Sequence, residues 1–198
     1  AMDYAAIREA ISNRDSKGFA GTIEFYPEEG KYHWDGHRQC KCCCSPKETL
    51  ANHGLCPVCG KPVTVGVSHQ VELLADRPEG YHPDNARPFE NLVPLAEMFA
   101  ASLGVTTASR RVQEGCNKLL QALGPELYLL RECPLEDIAK LAGPCITEGL
   151  RRLREGKIRL SPGYDGEYGK VTVLDPEDID RLTGQTSLFQ GFDPCMLP

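Results

Sequence analysis

Asp3 to about Arg14 repeats apolar residues at helical spacing, with Tyr4, Ile7, Ala10 and Ile11 on one face. Gly18 ends that pattern, and Phe19 to Tyr26 reads as a buried strand. Gly30 to Arg38 is a polar loop carrying aromatic residues, and Lys61 to His69 reads as a valine-rich strand. Asp76 to Pro88 has prolines and glycines but no period, so it is expected to be a loop or a boundary. Helical spacing then returns over Leu92–Ser102, from Thr106 or Thr107 to Leu123, near Pro125–Glu132, over Pro134–Ala142 and over Pro144–Glu155. Two short strands, Ile158–Leu160 and Lys170–Leu174, flank a turn at Gly163–Gly166. After Pro176 core-forming periodicity stops, which predicts a partly disordered tail.

The pattern predicts an α+β protein: a small four-cysteine zinc module followed by a mostly helical domain. The expected divisions are 1–38 (the last helix and strand of a larger domain plus a linking loop), 39–88 (zinc module), 89–175 (helical domain) and 176–198 (tail). The opening Ala1-Met2-Asp3 reads as an artificial start placed before the interior of a protein. No apolar run approaches the roughly 20 residues a membrane span needs.

Ten cysteines among 198 residues change the picture. Six of them, Cys40, Cys42, Cys43, Cys44, Cys56 and Cys59, crowd one segment, which suits metal binding better than a disulfide scaffold. Cys116, Cys133, Cys145 and Cys195 are scattered and are expected to be small buried hydrophobes. The implied setting is a reducing cytoplasm. Two C-x2-C turns, Cys40/Cys43 and Cys56/Cys59, separated by 12 residues, supply four thiolates for one closed structural zinc site. Cys42 or Cys44 can replace a member of the first pair, and His33 or His37 is an available but unneeded ligand. Iron is the rival metal that spacing alone leaves open.

The net charge of −6 argues against a general nucleic-acid coat protein but leaves room for a local basic patch. Such a patch lies in Arg151, Arg152, Arg154, Lys157 and Arg159. It follows Leu135–Ala142, Gly143 and Pro144–Arg151, which read as a helix-hairpin-helix whose turn amides and helix N-terminus would hold DNA phosphate. Gly143, Thr147, Arg151, Arg154 and Lys157 are the candidate DNA contacts there. The alternative is an ordinary helical hairpin with a solvated basic face.

The strings Gly21–Arg38, Gly66-Val67-Ser68-His69, Leu74–Gly80 and Pro162–Gly166 resemble endonuclease Q. The resemblance implies a DNA-repair nuclease that nicks beside deaminated bases, with its catalytic metals in an N-terminal polymerase-and-histidinol-phosphatase (PHP) domain. This chain has no room for that domain, so it is expected to supply zinc-module, DNA-binding and partner-binding functions and to be inactive alone. In that setting Tyr32, His33 and Trp34 are candidates to stack on or gate a flipped base, and Asp35, His37 and Arg38 to touch phosphate or a base edge; the alternative is that this loop packs as a collar between the strand and the zinc module. Gln185-Thr186-Ser187-Leu188-Phe189 resembles the bacterial sliding-clamp-binding motif, with Gln185, Ser187, Leu188 and Phe189 as the contacts. The expected partners are therefore DNA with deaminated bases and a bacterial clamp, in the cytoplasm at the nucleoid. A non-enzymatic zinc-ribbon adaptor joining DNA to a protein, or a structural remnant that only stabilises a missing barrel, are the competing readings.

Overall fold

The structure, a computed structural model, describes residues 3–13, 18–84 and 86–184. Fourteen elements are used below: α1 (Tyr4–Ser12), β1 (Thr22–Glu24), β2 (Asp35–His37), β3 (Cys42–Cys44), α2 (Pro46–Ala51), α3 (Val67–Leu74), β4 (Phe89–Asn91), α4 (Leu95–Leu103), α5 (Arg110–Leu123), α6 (Glu126–Arg131), α7 (Leu135–Arg154), β5 (Arg159–Ser161), β6 (Lys170–Thr172) and α8 (Pro176–Thr183). The class is mixed helix and strand, as expected. The strands form three two-stranded sheets: β1–β4, β2–β3 and β5–β6.

The chain divides into two compact units, Ala1–Leu92 with Leu160–Lys170, and Val93–Arg159 with Val171–Pro198. The segment Leu160–Lys170 thus rejoins the first unit, a return that a linear reading of domains does not contain. No described helix is long and apolar enough to cross a membrane.

The first unit is built from short elements tied by backbone hydrogen bonds. β1 runs parallel to β4 with Ile23 opposite Glu90. β2 and β3 pair antiparallel, with Gly36 opposite Cys43 and His37 opposite Cys42. Gly36 also exchanges backbone bonds with Thr64 (3.0 and 2.8 Å). A Cβ at Gly36 would lie 2.3 Å from the Tyr164 ring, so only glycine admits that close packing. Helix α2 starts on a capping box: Ser45 accepts from the Glu48 N–H, and Glu48 accepts from the Ser45 N–H.

The expected strand over Lys61–His69 is corrected here, because Val67–Leu74 is helix α3. Its first turn is held by the aromatic loop, with Val67 N donating to the Tyr32 carbonyl (2.8 Å) and Ser68 N to the His33 carbonyl (2.9 Å). The buried Asp35 carboxylate accepts from the Gly66 N–H at the helix start (2.7 Å). These fixed partners outweigh the strand preference of valine.

The second unit is a helical bundle in which α4 packs on α5 and α7, and α6 packs on α5 and α7. Leu95, Met98, Phe99, Val112, Leu119, Leu129, Leu130, Ile138, Ile146 and Leu150 are all buried in it. Gly149 lets α7 approach α4, since a Cβ there would lie 2.0 Å from Ser102 Oγ. The helix expected over Leu92–Ser102 begins only after Pro94, and β4 precedes it. Cys116, Cys133 and Cys145 are buried, in keeping with their reading as small apolar residues; Cys195 lies outside the described residues.

The tail expectation is also corrected over Pro176–Thr183, which is helix α8. Proline sits at its start, Glu177 and Asp178 occupy the first turn, and Gly184 ends it in the left-handed conformation. Ile179 and Leu182 pack against Cys145, Val173 and Leu174, a small core the spacing alone did not disclose.

Candidate metal centre and adjoining surfaces

Three of the four expected cysteine ligands converge, and the fourth position belongs to a histidine. Donor atoms of His37, Cys40, Cys56 and Cys59 all lie within 4.8 Å of one another. His37 Nδ1 is 3.2 Å from Cys40 Sγ and 3.3 Å from Cys59 Sγ. Cys43 sits instead on β3, where its Sγ lies 3.8 Å from the Pro162 carbonyl. Strand alternation explains the exchange: β3 spans Cys42–Cys44, so neighbouring side chains point to opposite faces. A C-x2-C spacing presumes a turn, and here its second cysteine has entered a strand.

Local backbone prepares the other sulfurs. Cys56 donates its N–H to the Lys61 carbonyl (2.7 Å), and Gly60 N returns to the Cys56 carbonyl (2.8 Å). Gly60 takes φ 71°, which closes this turn. Burial pushes the Cys56 thiol up, but N–H groups of Cys59 and Val58 and the His37 ring outweigh it and bring Cys56 down to about 6. Cys40 is pushed up to about 11, first by its hydrogen bond with Cys59 and then by burial. The shifts of Cys56 and Cys40 run in opposite directions because adjacent anionic sulfurs repel. A cation among them removes that conflict, so the donor set fits a soft divalent metal ion. Cys42 and Cys44 lie outside this group, with their sulfurs 3.2 Å apart. Burial first, and Cys44 next, push the Cys42 thiol up to about 12.

Beside the centre lies a pair the sequence reading did not contain. Asp35 is fully buried, and its Oδ2 is 2.6 Å from His69 Nδ1. The pair links β2 to α3 and so holds His37, two residues on, relative to the helix. A histidine placed three residues after a helix-starting glycine was the available signal, but its carboxylate partner lies 34 positions away.

The aromatic loop is held in place and only partly exposed. Tyr32 is 48% exposed, while His33 is half-buried, its Nε2 3.2 Å from Ser68 Oγ. Burial lowers the His33 pKa below the ordinary imidazole value, and Glu28 opposes that shift. Trp34 donates its backbone N–H to the Gly163 carbonyl (2.9 Å) and lines a cleft of about 570 Å³. Arg38 pairs with Glu167 (2.6 Å), and its N–H donates to Asp165 (2.6 Å). His37, expected among the DNA contacts, belongs to the metal group.

The helix-hairpin-helix candidate is one helical element broken at Gly143, where φ is 77° and ψ 178°. Thr147 Oγ1 donates back to the Gly143 carbonyl (2.8 Å) and is engaged within the helix. Arg151 pairs with Glu148 and Glu155, and Lys157 with Glu155. Arg154 is corrected from DNA contact to structural cap: its guanidinium donates to the Leu129 and Leu130 carbonyls (2.7 and 2.9 Å) at the end of α6. The basic run is thus largely occupied by internal acceptors, a fact invisible in a count of charges. Gln185, Ser187, Leu188 and Phe189 lie outside the described residues.

Against known structures, the chain matches the crystal structure of the lesion-specific endonuclease PfuEndoQ from Pyrococcus furiosus with a TM-score of 0.74 and 27% identity. The match covers 91% of this chain and 46% of that one. The chain is similar to endonuclease Q along nearly its whole length. A second endonuclease Q structure, in complex with a 27-mer duplex bearing an abasic lesion at its active site, matches with a TM-score of 0.75 and 27% identity, over 90% of this chain and 44% of that one. Residues 94–157 match the family described as the MJ0043 C-terminal domain. Among curated proteins, MJ0043 of Methanocaldococcus jannaschii is 31% identical over 162 residues, 82% of this chain and 20% of that protein. YqxK of Bacillus subtilis is 29% identical over 171 residues, 85% of this chain and 40% of that protein. The chain therefore spans less than half the length of each of these relatives.

Proposed function

We propose that this chain is the metal-braced, DNA-binding portion of an endonuclease Q-like repair enzyme that acts at deaminated bases. The observation that carries the reading is the fold match over nine-tenths of the chain to endonuclease Q, one of whose structures holds a DNA duplex. The metal is zinc in this reading, because three thiolates and one imidazole are a usual structural zinc set. His37, Cys40, Cys56 and Cys59 would hold it, and with four protein ligands its contribution is folding energy rather than chemistry. The catalytic metals belong to a PHP domain outside this sequence, so the chain alone binds without nicking. Tyr32, Trp34 and Arg38 on the loop, and Gly143, Arg151 and Lys157 on α7, are the DNA-facing candidates. Arg151 and Lys157 must exchange carboxylate partners for phosphate on binding, and the freed carboxylates take up cations, which makes the salt dependence shallower than that of unpaired basic residues. The segment from Gln185 to Phe189 supports a further tie to a bacterial sliding clamp by its residue pattern.

Fluorescence polarisation with a labelled uracil-containing duplex tests the reading. Binding that weakens in Arg151→Glu/Lys157→Glu, with no strand cleavage, is the expected result. A well-folded, metal-loaded chain that binds no DNA would overturn it in favour of a purely structural role.

A further inference from the structure

Cys42 and Cys44 stand outside the metal group, yet their sulfurs are in direct contact at 3.2 Å. Strand alternation sets this up. Residues two apart on β3 share a face, while Cys43 between them turns away, its Sγ 3.8 Å from the Pro162 carbonyl. Cys56 also acts on Cys42, but it belongs with His37, Cys40 and Cys59 around the metal. We infer that Cys42 and Cys44 are a redox-active dithiol, separate from the metal ligands, that a small-molecule disulfide closes into an intrastrand disulfide.

The two thiols differ in access. Cys44 is 5% exposed, whereas Cys42 is only half-buried, so Cys42 meets the oxidant first. Its sulfur, on losing its proton, attacks one sulfur of the oxidant, forming a mixed disulfide and releasing one thiol. Cys44 then gives up its proton and attacks the Cys42 sulfur, closing the bridge and releasing the second thiol. Two protein thiols lose two electrons and two protons, and the oxidant takes up both in becoming two thiols. Burial first, and Cys44 next, push the Cys42 thiol up, so the dithiol is the resting form and closure is slow. Cα atoms two apart on a strand lie about 6.4–6.8 Å from each other, at the upper edge of the span a disulfide bridges. β3 must therefore shorten on closure, which leaves the bridge easily reduced. Cys42 lies opposite His37, and Cys44 opposite Asp35, in the β2–β3 register. Closure therefore pulls on the strand that carries a metal ligand and the buried carboxylate, and loosens the hold on the metal.

Trypsin isolates the pair, because Lys41 and Lys47 bound a peptide whose only cysteines are Cys42, Cys43 and Cys44. The full 198-residue, zinc-loaded chain is equilibrated with oxidised glutathione in excess over reduced. Remaining thiols are alkylated with N-ethylmaleimide, and the peptide is read by mass spectrometry. The expected peptide carries one alkyl group, on Cys43, and a bridge that makes it lighter by two hydrogens. Dithiothreitol before alkylation should restore three alkyl groups. Cys43→Ser should still close, whereas Cys42→Ser should not, with zinc content per chain confirming that both variants fold. The oxidised chain should also give up its zinc to a chelator several times faster than the reduced chain or oxidant-treated Cys42→Ser. Three alkyl groups after oxidation, a lasting glutathione adduct on Cys42, or closure that fails in Cys43→Ser overturns the dithiol. So does a second metal ion per chain that is lost in Cys42→Ser. Equal zinc release from the closed and open chains overturns the pull on β2. The DNA-binding reading stands or falls separately, by the polarisation titration.

Discussion

The two units are stabilised by different chemistry. Of the large side chains with less than 2% exposure, Leu95, Met98, Leu119, Leu129, Leu130, Ile138, Ile146, Leu150, Val93 and Val112 fall in the second unit. The first unit contributes Thr49 and Asp35. Its short strands and one-turn or two-turn helices bury little apolar surface, and Val65, Val67, Val71 and Leu74 are half-exposed or more. A hydrophobic core tolerates approximate fits, whereas a unit built on ligands and polar ties fails when one specific atom is lost. The difference leaves the first unit dependent on specific polar ties and the second on apolar packing.

Metal removal is the largest way to separate the units. Chelation, or Cys56→Ala, should unfold the first unit and expose residues 18–84 to protease while 95–154 stays protected. Structural zinc commonly supplies on the order of 10 kcal/mol of folding energy to such modules. An unchanged digestion pattern in the metal-free protein would refute the contrast. In the second unit Leu150→Ala should cost about 3 kcal/mol in denaturant unfolding and leave metal content untouched. Asp35→Ala should cost about 2 kcal/mol in the first unit, because it strips the buried His69 ring and the Gly66 N–H of their acceptor. Loss of stability in both units to the same degree would show them to be one cooperative block.

A pH titration sharpens the comparison further. Hydrogen bonding from Arg151, opposed by burial and joined by Arg152, holds Glu148 down to about 2. Its folded pKa is below the unfolded value, so its contribution is present above about 4.5 and is lost as pH falls from there toward 2. Glu148→Gln should flatten the acid limb of the second unit's melting profile; an unaltered limb would remove Glu148 from the account. The smallest effect expected is that of Cys43→Ser, which should keep one metal per chain by elemental analysis, whereas His37→Ala should lower metal affinity. The reverse result would restore the two C-x2-C pairs as the ligand set.

Much of the helical unit was legible along the chain. The spacing of Val112, Cys116 and Leu119 marks the buried face of α5, and Gly143 marks the break in α7, because both signals are local. At the metal centre, Cys40, Cys56 and Cys59 were legible as ligands by their clustering, but His37 was ranked behind Cys43. That choice depends on β2 pairing with β3, which no spacing rule reports. Arg154 read as a DNA contact because its charge is visible in the sequence, while the Leu129 and Leu130 carbonyls it caps are not.

Residue types and their local periods were enough to mark a cysteine cluster able to hold a soft metal, a set of helices, and strings that resemble endonuclease Q. Partners distant in the chain were left to the tertiary structure: His37 over Cys43, Asp35 beneath His69, and Ser68 against the His33 ring. The physical reason is that strand alternation and burial assign each side chain a direction, and direction decides which atoms meet.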